Sequence, residues 1–199
     1  MMTGLLTAAY FLVSVIFTLI LFLLWSRVIL RYYRLSPLHP VNQSINALIG
    51  PVLGPIERMI QHETPGKPRK APSQYDWPGF ALIIVIEIIK FICLGLLAYG
   101  RLLPVPYLLL FVLADLIVQP LNLLFFALLI RVIMSWVNPH WEQQNPAGYV
   151  INLMTNPLIR IGHKLIPNIS GFDFAPYIVM IIIKVITLFI SASMPLPLV

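Results

Sequence analysis

Four long stretches of this chain carry almost no charged residues, and they constrain its fold more than any other feature. They are residues 4–26, residues 79–100, the segment between Arg101 and Arg131, and residues 174–194. A helix that crosses a membrane needs about 20 mostly apolar residues, and each stretch reaches that length. The third is longer, and we expect it to run from near Pro106 to Trp136 and to tilt or kink at Pro120. The sequence therefore predicts an all-α membrane protein with four transmembrane helices.

The low charge content excludes a soluble domain. Only 10% of the 199 residues are charged, whereas a soluble domain has roughly 25%. The single cysteine, Cys93, excludes an intrachain disulfide. The net charge of +6 does not indicate a nucleic acid partner, because basic residues in membrane proteins flank the spans and set their orientation.

The basic residues predict how the spans are oriented. Ten of them fall in the loops 31–78 and 137–174 or at the adjoining helix ends, and only Arg101 is expected on the opposite side. Cytoplasmic loops carry the excess of Lys and Arg, so we expect both large loops in the cytoplasm and both termini outside. The first stretch has no Lys or Arg before it, unlike a secretory signal peptide, and we expect it to be retained as a span.

Self-comparison of the sequence predicts two tandem repeats. Arg27 begins Arg-Val-Ile-Leu at the end of the first span, and Arg131 begins Arg-Val-Ile-Met at the end of the third. Asp76 and Asp173 each open the span that follows. Each half is therefore span, loop, span, and the halves are expected to be parallel, related by an axis along the membrane normal. The predicted repeats are residues 1–100 and 101–199.

Arg27 and Arg131 have two interpretations. Each long side chain could reach from the end of its span to the membrane surface and so orient the helix. Alternatively, each could tie its span to the loop helices, through Asp76 or Asp173. The first interpretation needs no partner residue, whereas the second predicts an ion pair at the loop side.

Each predicted cytoplasmic loop has the pattern of an amphipathic helix pair. In the second loop the polar residues recur at helical spacing: Asn152, Thr155, Asn156, Arg160, His163 and Lys164. Pro51 and Pro157 are expected in the first turn of the second helix of each pair, where a missing N–H costs little. The pair is predicted to anchor the loop in the membrane interface. The alternatives are a docking surface for a partner and a re-entrant element that lines a path.

Residues 62–75 occur only in the first loop. They are rich in Pro, Lys and Arg, which predicts a flexible, solvated linker. The basic cluster at 67–70 is expected to attract anionic lipid heads at about 1 kcal/mol per basic residue near the surface.

The second repeat carries a series of motifs in a fixed order. They are Arg131 with Ser135-Trp136, Asn145-Pro146, Pro157 to Arg160, Pro167, and Asp173 to Pro176. Their order and spacing resemble the YggT family of small bacterial integral membrane proteins, also found in plastids as the YlmG group. The first repeat departs from the pattern, with Arg31-Tyr32 where Ser-Trp is expected.

The resemblance implies a location and a physiology for the protein. It implies a multi-pass protein of the bacterial inner membrane, which places both outer termini in the periplasm. It also implies links to osmotic or ionic stress tolerance, to cell division or envelope organisation and, in plastids, to assembly of a membrane cytochrome complex.

We expect no enzymatic activity, no cofactor and no metal. The sequence contains none of the common hydrolase, zinc-protease or P-loop motifs. Its four histidines are His39, His62, His140 and His163, and none follows another at the i+3 or i+4 spacing of helical ligand pairs.

Four charged residues lie inside the predicted spans, namely Glu87, Lys90, Asp115 and Lys184. A charge at the bilayer centre costs about 2.5–3.5 kcal/mol on insertion scales, so such residues pair or serve a function. Glu87 and Lys184 each lie 11 residues after the aspartate that opens their span, so the repeat predicts that they form a pair. Lys90 and Asp115 approach the midplane from opposite sides and are the predicted second pair. The alternative is that these residues conduct protons or cations.

The sequence therefore predicts a non-enzymatic inner-membrane scaffold or assembly factor that acts in envelope, osmotic or ionic-stress physiology. Its expected partners are the lipid bilayer and an unidentified membrane protein. The alternative is a small ion or proton pathway, or a subunit of one, that uses the charges inside the spans.

Overall fold

A computed structural model describes residues 4–60, 75–138, 140–165 and 173–194. All of the regular secondary structure in these ranges is helical. The helices are α1 (Gly4–Tyr32), α2 (Pro40–Ile60), α3 (Trp77–Tyr99), α4 (Val105–Val137), α5 (Trp141–Gln144), α6 (Pro146–Leu165) and α7 (Ala175–Ala192).

Four of these helices, α1, α3, α4 and α7, are long and apolar enough to cross a membrane. The prediction of an all-α protein with four spans is therefore confirmed. Helix α4 has 33 residues and contains Pro120, close to the predicted bounds. At 1.5 Å per residue it is about 50 Å long, well beyond the roughly 30 Å hydrocarbon core. Such a helix must tilt or extend past the membrane surface.

The first half of the chain is held together by apolar packing between α1 and α3. Leu21 and Leu24 of α1 are buried against Leu82 and Ile83 of α3, and Ile49 of α2 joins this cluster. Helix α2 is thereby fastened to the two spans that its loop connects.

The second half has the same kind of core. Leu128 of α4 and Val179 and Ile183 of α7 are buried together with Ile159 of α6. The two halves meet where Leu30 of α1 and Leu123 of α4 pack against Val150 and Met154 of α6. Helix α6 therefore joins the halves at the loop side of the bundle.

Two of the predicted motifs act as helix starts. Asp76 is the N-cap of α3 and accepts a hydrogen bond from the Gly79 backbone N–H at 3.3 Å. Asn145 accepts one from Ala147 N at 2.9 Å, and Pro146 is the first residue of α6. Side-chain oxygens satisfy N–H groups that a helix start leaves free, and proline suits the first turn because it lacks one.

The loop helices differ from the prediction at their prolines. Helix α6 contains Pro157 in its interior, and α2 continues through Pro51 to Ile60. The expected break into two helices at these prolines is wrong. A proline inside a helix removes one hydrogen bond, and in α6 the burial of Met154, Thr155 and Ile159 around Pro157 outweighs that loss. That these helices lie in the membrane interface stays a prediction.

The buried face of α6 also differs from the predicted one. Thr155, one of the polar residues at helical spacing, is fully buried, whereas the apolar Ile161 is exposed. Gly148 and Gly162 lie on the buried face. Small residues let α6 approach its neighbours closely, and this requirement overrides the hydropathy pattern. The linker 62–75 lies outside the described residues except for Tyr75.

We expect Gly162→Ala to destabilise the protein by about 1–3 kcal/mol, the usual cost of overpacking. A β-carbon at Gly162 would lie 2.9 Å from the Ala175 backbone oxygen and 3.0 Å from Val179 Cγ2, so α6 and α7 would have to separate. Equilibrium unfolding in mixed micelles would measure the change.

The matched control is Gly50→Ala in α2, where a β-carbon would meet nothing within 4 Å. There we expect a gain of up to about 1 kcal/mol, because alanine is the better helix former. Equal losses in both variants would contradict the close packing of α6 on α7.

Candidate functional site: a buried charge cluster between the spans

The charges of α3 and α4 form one cluster inside the bundle. Glu87 and Lys90 lie three residues apart on α3 and therefore share a face, and Asp115 lies on α4. Their exposed fractions are 0%, 2% and 1%. Helix α3 packs against both α1 and α4, and this position shields its charged face from lipid.

The Lys90 ammonium lies between two carboxylates. Lys90 Nζ donates a hydrogen bond to Asp115 Oδ2 and lies 3.9 Å from Glu87 Oε2. The side-chain amide of Gln119 also donates to Asp115 Oδ2, at 3.3 Å. The predicted Lys90–Asp115 pair is confirmed, and Gln119 is a member that charge counting missed. Gln119 lies four residues after Asp115 on α4, and this spacing, which places both on one helix face, could have identified it from the sequence.

Aromatic rings close one side of the cluster. Phe91 and Phe111 stack with their centroids 5.5 Å apart, and Lys90 Nζ lies 5.2 Å from the Phe91 centroid. A cation near a ring face is attracted by the negative centre of the ring. The ammonium therefore gains an apolar neighbour that also partly compensates its charge.

Glu87 is the least satisfied member of the cluster. Both of its carboxyl oxygens are buried and have no hydrogen-bond partner within the described residues. Two carboxyl groups and one ammonium carry a net charge of −1 unless one carboxyl holds a proton. Buried charges that are incompletely paired are costly in a medium of low dielectric constant. Glu87 is therefore the member of the cluster that a purely structural ion pair does not explain.

Lys184 does not belong to the cluster, and the predicted Glu87–Lys184 pair is wrong. Lys184 is exposed on α7, and its Nζ lies 5.7 Å from the Phe125 centroid. Helix α7 packs on α4 and α6, away from the face of α3 that carries Glu87. The equivalent sequence positions of Glu87 and Lys184 predict their depth in the membrane, but they do not predict how each helix is rotated about its own axis.

A second charge cluster joins α1 to α3 at the loop side. Arg27 Nε lies 2.9 Å from Asp76 Oδ2, and one terminal nitrogen of Arg31 lies 2.7 Å from Asp76 Oδ1. The Asp76 side chain is completely buried. The Arg27–Asp76 ion pair of the second interpretation is present, and it joins α1 to the start of α3. Sequence reasoning missed the role of Arg31, although its position four residues after Arg27 places both on one helix face.

The second half uses different partners at the equivalent place. Arg131 donates hydrogen bonds to Thr155 Oγ1 at 2.8 Å and to Asn156 Oδ1 at 2.9 Å, both on α6. Asp173 Oδ1 lies 2.9 Å from His163 Nε2 and accepts a hydrogen bond from Ala175 N. Arg131 thus ties α4 to the loop helix, as in the second interpretation, but through a hydroxyl and an amide, whereas Asp173 pairs with His163.

The remaining motif residues lie apart from both charge clusters. Ser135 donates to the Val132 carbonyl oxygen at 2.9 Å, and Trp136 is exposed at the end of α4. Pro157 and Arg160 are exposed on α6. The basic cluster 67–70 lies outside the described residues.

Four apolar helices with charged side chains paired between them define a multi-pass membrane protein. The chain belongs to the CCB3/YggT family, whose profile matches residues 110–194. That segment runs from α4 to the end of α7.

Relatives from several bacteria match nearly the whole chain. An uncharacterised protein of Pseudomonas aeruginosa is 31% identical over 190 residues, which are 95% of this chain and 91% of the relative. An uncharacterised protein of Vibrio alginolyticus is 30% identical over 172 residues, 86% of each chain. The uncharacterised protein YggT of Escherichia coli K12 is 27% identical over 179 residues, 89% of this chain and 86% of the relative. No solved structure is a significant match.

Proposed function

We propose that this protein is a non-enzymatic scaffold or assembly factor of the bacterial inner membrane. The observation that carries the proposal is the burial and pairing of the charges between α3 and α4. Lys90 is held by Asp115 and faces Glu87, and none of the three lines either of two cavities, of about 470 and 210 Å³. A conduction path would need such residues to reach water, whereas a scaffold needs a stable bundle.

The proposal includes the organisation inferred from the sequence. Residues 1–100 and 101–199 are two YggT-like repeats of the YlmG type, with both large loops in the cytoplasm and both termini in the periplasm. The family resemblance supports a role in osmotic or ionic-stress physiology and in envelope organisation. The loop helices α2 and α6, which flank the spans on the cytoplasmic side, are the surface offered to a membrane protein partner.

Flux measurements in proteoliposomes test this function directly. We expect purified protein to pass protons and K⁺ no faster than protein-free vesicles do, under an imposed pH or K⁺ gradient, because the cluster is enclosed. Dye-based flux assays at several protein densities would measure this. Flux that rises with protein density and is lost in Asp115→Asn would overturn the scaffold.

A proton or ion pathway is the second candidate, and the state of Glu87 favours it. Among the residues that the structure describes, neither buried carboxyl oxygen has a hydrogen-bond partner, so Glu87 can bind a proton or a small cation. In this function Glu87 carries the proton or ion, and Lys90 and Asp115 set the local charge. The same flux assay distinguishes the candidates, because Glu87→Gln would remove transport and leave a scaffold intact.

A further inference from the structure

A groove opens at the loop side of the bundle, between the two halves of the chain. Its volume is about 470 Å³, within the range of roughly 300–1,000 Å³ of small-molecule sites. Its apolar walls come from four helices: Val28 and Ile29 of α1, Phe80 of α3, Leu124 of α4, and Met154 and Leu158 of α6. Four of these six residues belong to α1, α3 and α4, which are long and apolar enough to cross a membrane, so the groove lies at the loop-side ends of these spans.

Aromatic side chains with polar tips form the rim of the groove. Tyr32, Tyr75 and Trp77 line it and are exposed. The ring centroids of Tyr32 and Tyr75 are 6.1 Å apart, and those of Tyr75 and Trp77 are 6.2 Å apart. Tyr and Trp concentrate at the level of lipid head groups because one end of the ring is apolar and the other is polar.

A cationic side chain lies next to the rim. Arg27 and Arg31 share the single carboxylate of Asp76, and Asp76 lines the groove. The Arg31 side chain is 34% exposed and pairs with Asp76, which lines the groove, so a partly exposed cationic side chain stands next to the apolar opening.

We propose that this groove binds a phospholipid with an anionic head group, with an acyl chain against Leu158 and Val28 and the phosphate at Arg31. The order from apolar wall to aromatic rim to cation matches the order from acyl chain to glycerol to phosphate in such a lipid. A guanidinium also forms strong, charge-assisted hydrogen bonds to phosphate oxygens. The site goes beyond the scaffold function and does not depend on it.

The second half of the chain lacks the same rim. In the predicted repeat, the residue aligned with Arg31 is Ser135, and Asp173 is occupied by His163. The structure therefore assigns the anionic site to the first half and predicts one lipid per chain.

Lipid titration of the purified full chain in detergent tests the site by native mass spectrometry. The probes are phosphatidylglycerol and phosphatidylcholine with identical acyl chains. We expect one phosphatidylglycerol to bind about tenfold more tightly than phosphatidylcholine, because both lipids carry a phosphate but only the choline head group brings a second cation close to the Arg31 guanidinium. Arg31→Ser should reduce phosphatidylglycerol binding to the phosphatidylcholine level, whereas Arg31→Lys should keep most of the preference.

A substitution that fills the groove distinguishes binding of an acyl chain inside it from attraction of the lipid by charge alone. Leu158→Trp should weaken binding of both lipids at least tenfold, whereas Val185→Trp on the exposed face of α7 should change neither. A phosphatidylglycerol with a photoreactive acyl chain should label peptides of α1 and α6 in the wild type, which keeps the test valid if Leu158→Trp fails to fold.

Three results would overturn the proposal. They are equal binding of the two lipids by the wild type, unchanged binding by a folded Leu158→Trp variant, and labelling confined to the outer faces of α4 and α7. A fourth result, the absence of any bound lipid on the wild type, would also reject the lipid proposal and would favour a polypeptide as the occupant of the groove.

Discussion

Lys90→Met is expected to destabilise the protein by about 3–5 kcal/mol, the usual cost of breaking a buried ion pair from one side. The substitution removes the ammonium that holds Asp115 and faces Glu87, and both carboxyl groups remain buried. Methionine has a similar length and fills the same space, so the loss reports charge rather than volume. Equilibrium unfolding in mixed micelles would give the free energy.

The double variant Lys90→Met with Asp115→Leu should recover much of that loss, because apolar replacement of a whole buried pair is often neutral. Lys184→Met is the matched control on another span. Lys184 is exposed and has no ion-pair partner among the described residues, so this variant should not destabilise the protein. Equal losses at Lys90 and Lys184 would show that the cluster is not a stabilising unit.

Asp76→Ala should destabilise the protein by about 2–4 kcal/mol. The change removes the carboxylate shared by Arg27 and Arg31 and the N-cap acceptor for Gly79 N. Loss of an N-cap alone costs about 1 kcal/mol, and the rest comes from two guanidinium groups left without their buried acceptor. Thermal unfolding in detergent would rank the variants, and equilibrium unfolding in mixed micelles would give the free energies of unfolding.

Asp173→Ala is the matched control for Asp76→Ala, at the equivalent place in the second half. Asp173 and its partner His163 are both exposed, and exposed pairs contribute about 0–1 kcal/mol. Asp76→Asn should lie between the two, because the amide oxygen keeps the cap but loses the charge. A loss at Asp173 as large as that at Asp76 would contradict the asymmetry of the two halves.

The sequence by itself determined the features that depend on position along a helix. The four spans follow from the length of apolar sequence that a bilayer requires. The caps at Asp76 and Asn145 follow from chemistry within three residues of each helix start. The Lys90–Asp115 pair could be predicted because depth in the membrane is counted along the chain, and depth brought both residues to the midplane.

Only the tertiary structure decided which way each helix faces. In a soluble helix the apolar stripe marks the buried face, but lipid and protein interior are both apolar, so the spans carry no such mark. Lys184 therefore lies outside the bundle although its depth matches that of Glu87. On the loop helix α6, the polar Thr155 is buried because its hydroxyl accepts a hydrogen bond from Arg131. The join of Arg31 to Asp76 likewise depends on how α1 packs on α3. Close packing between helices sets the rotation of each helix about its axis, and the hydropathy of the sequence does not predict that rotation.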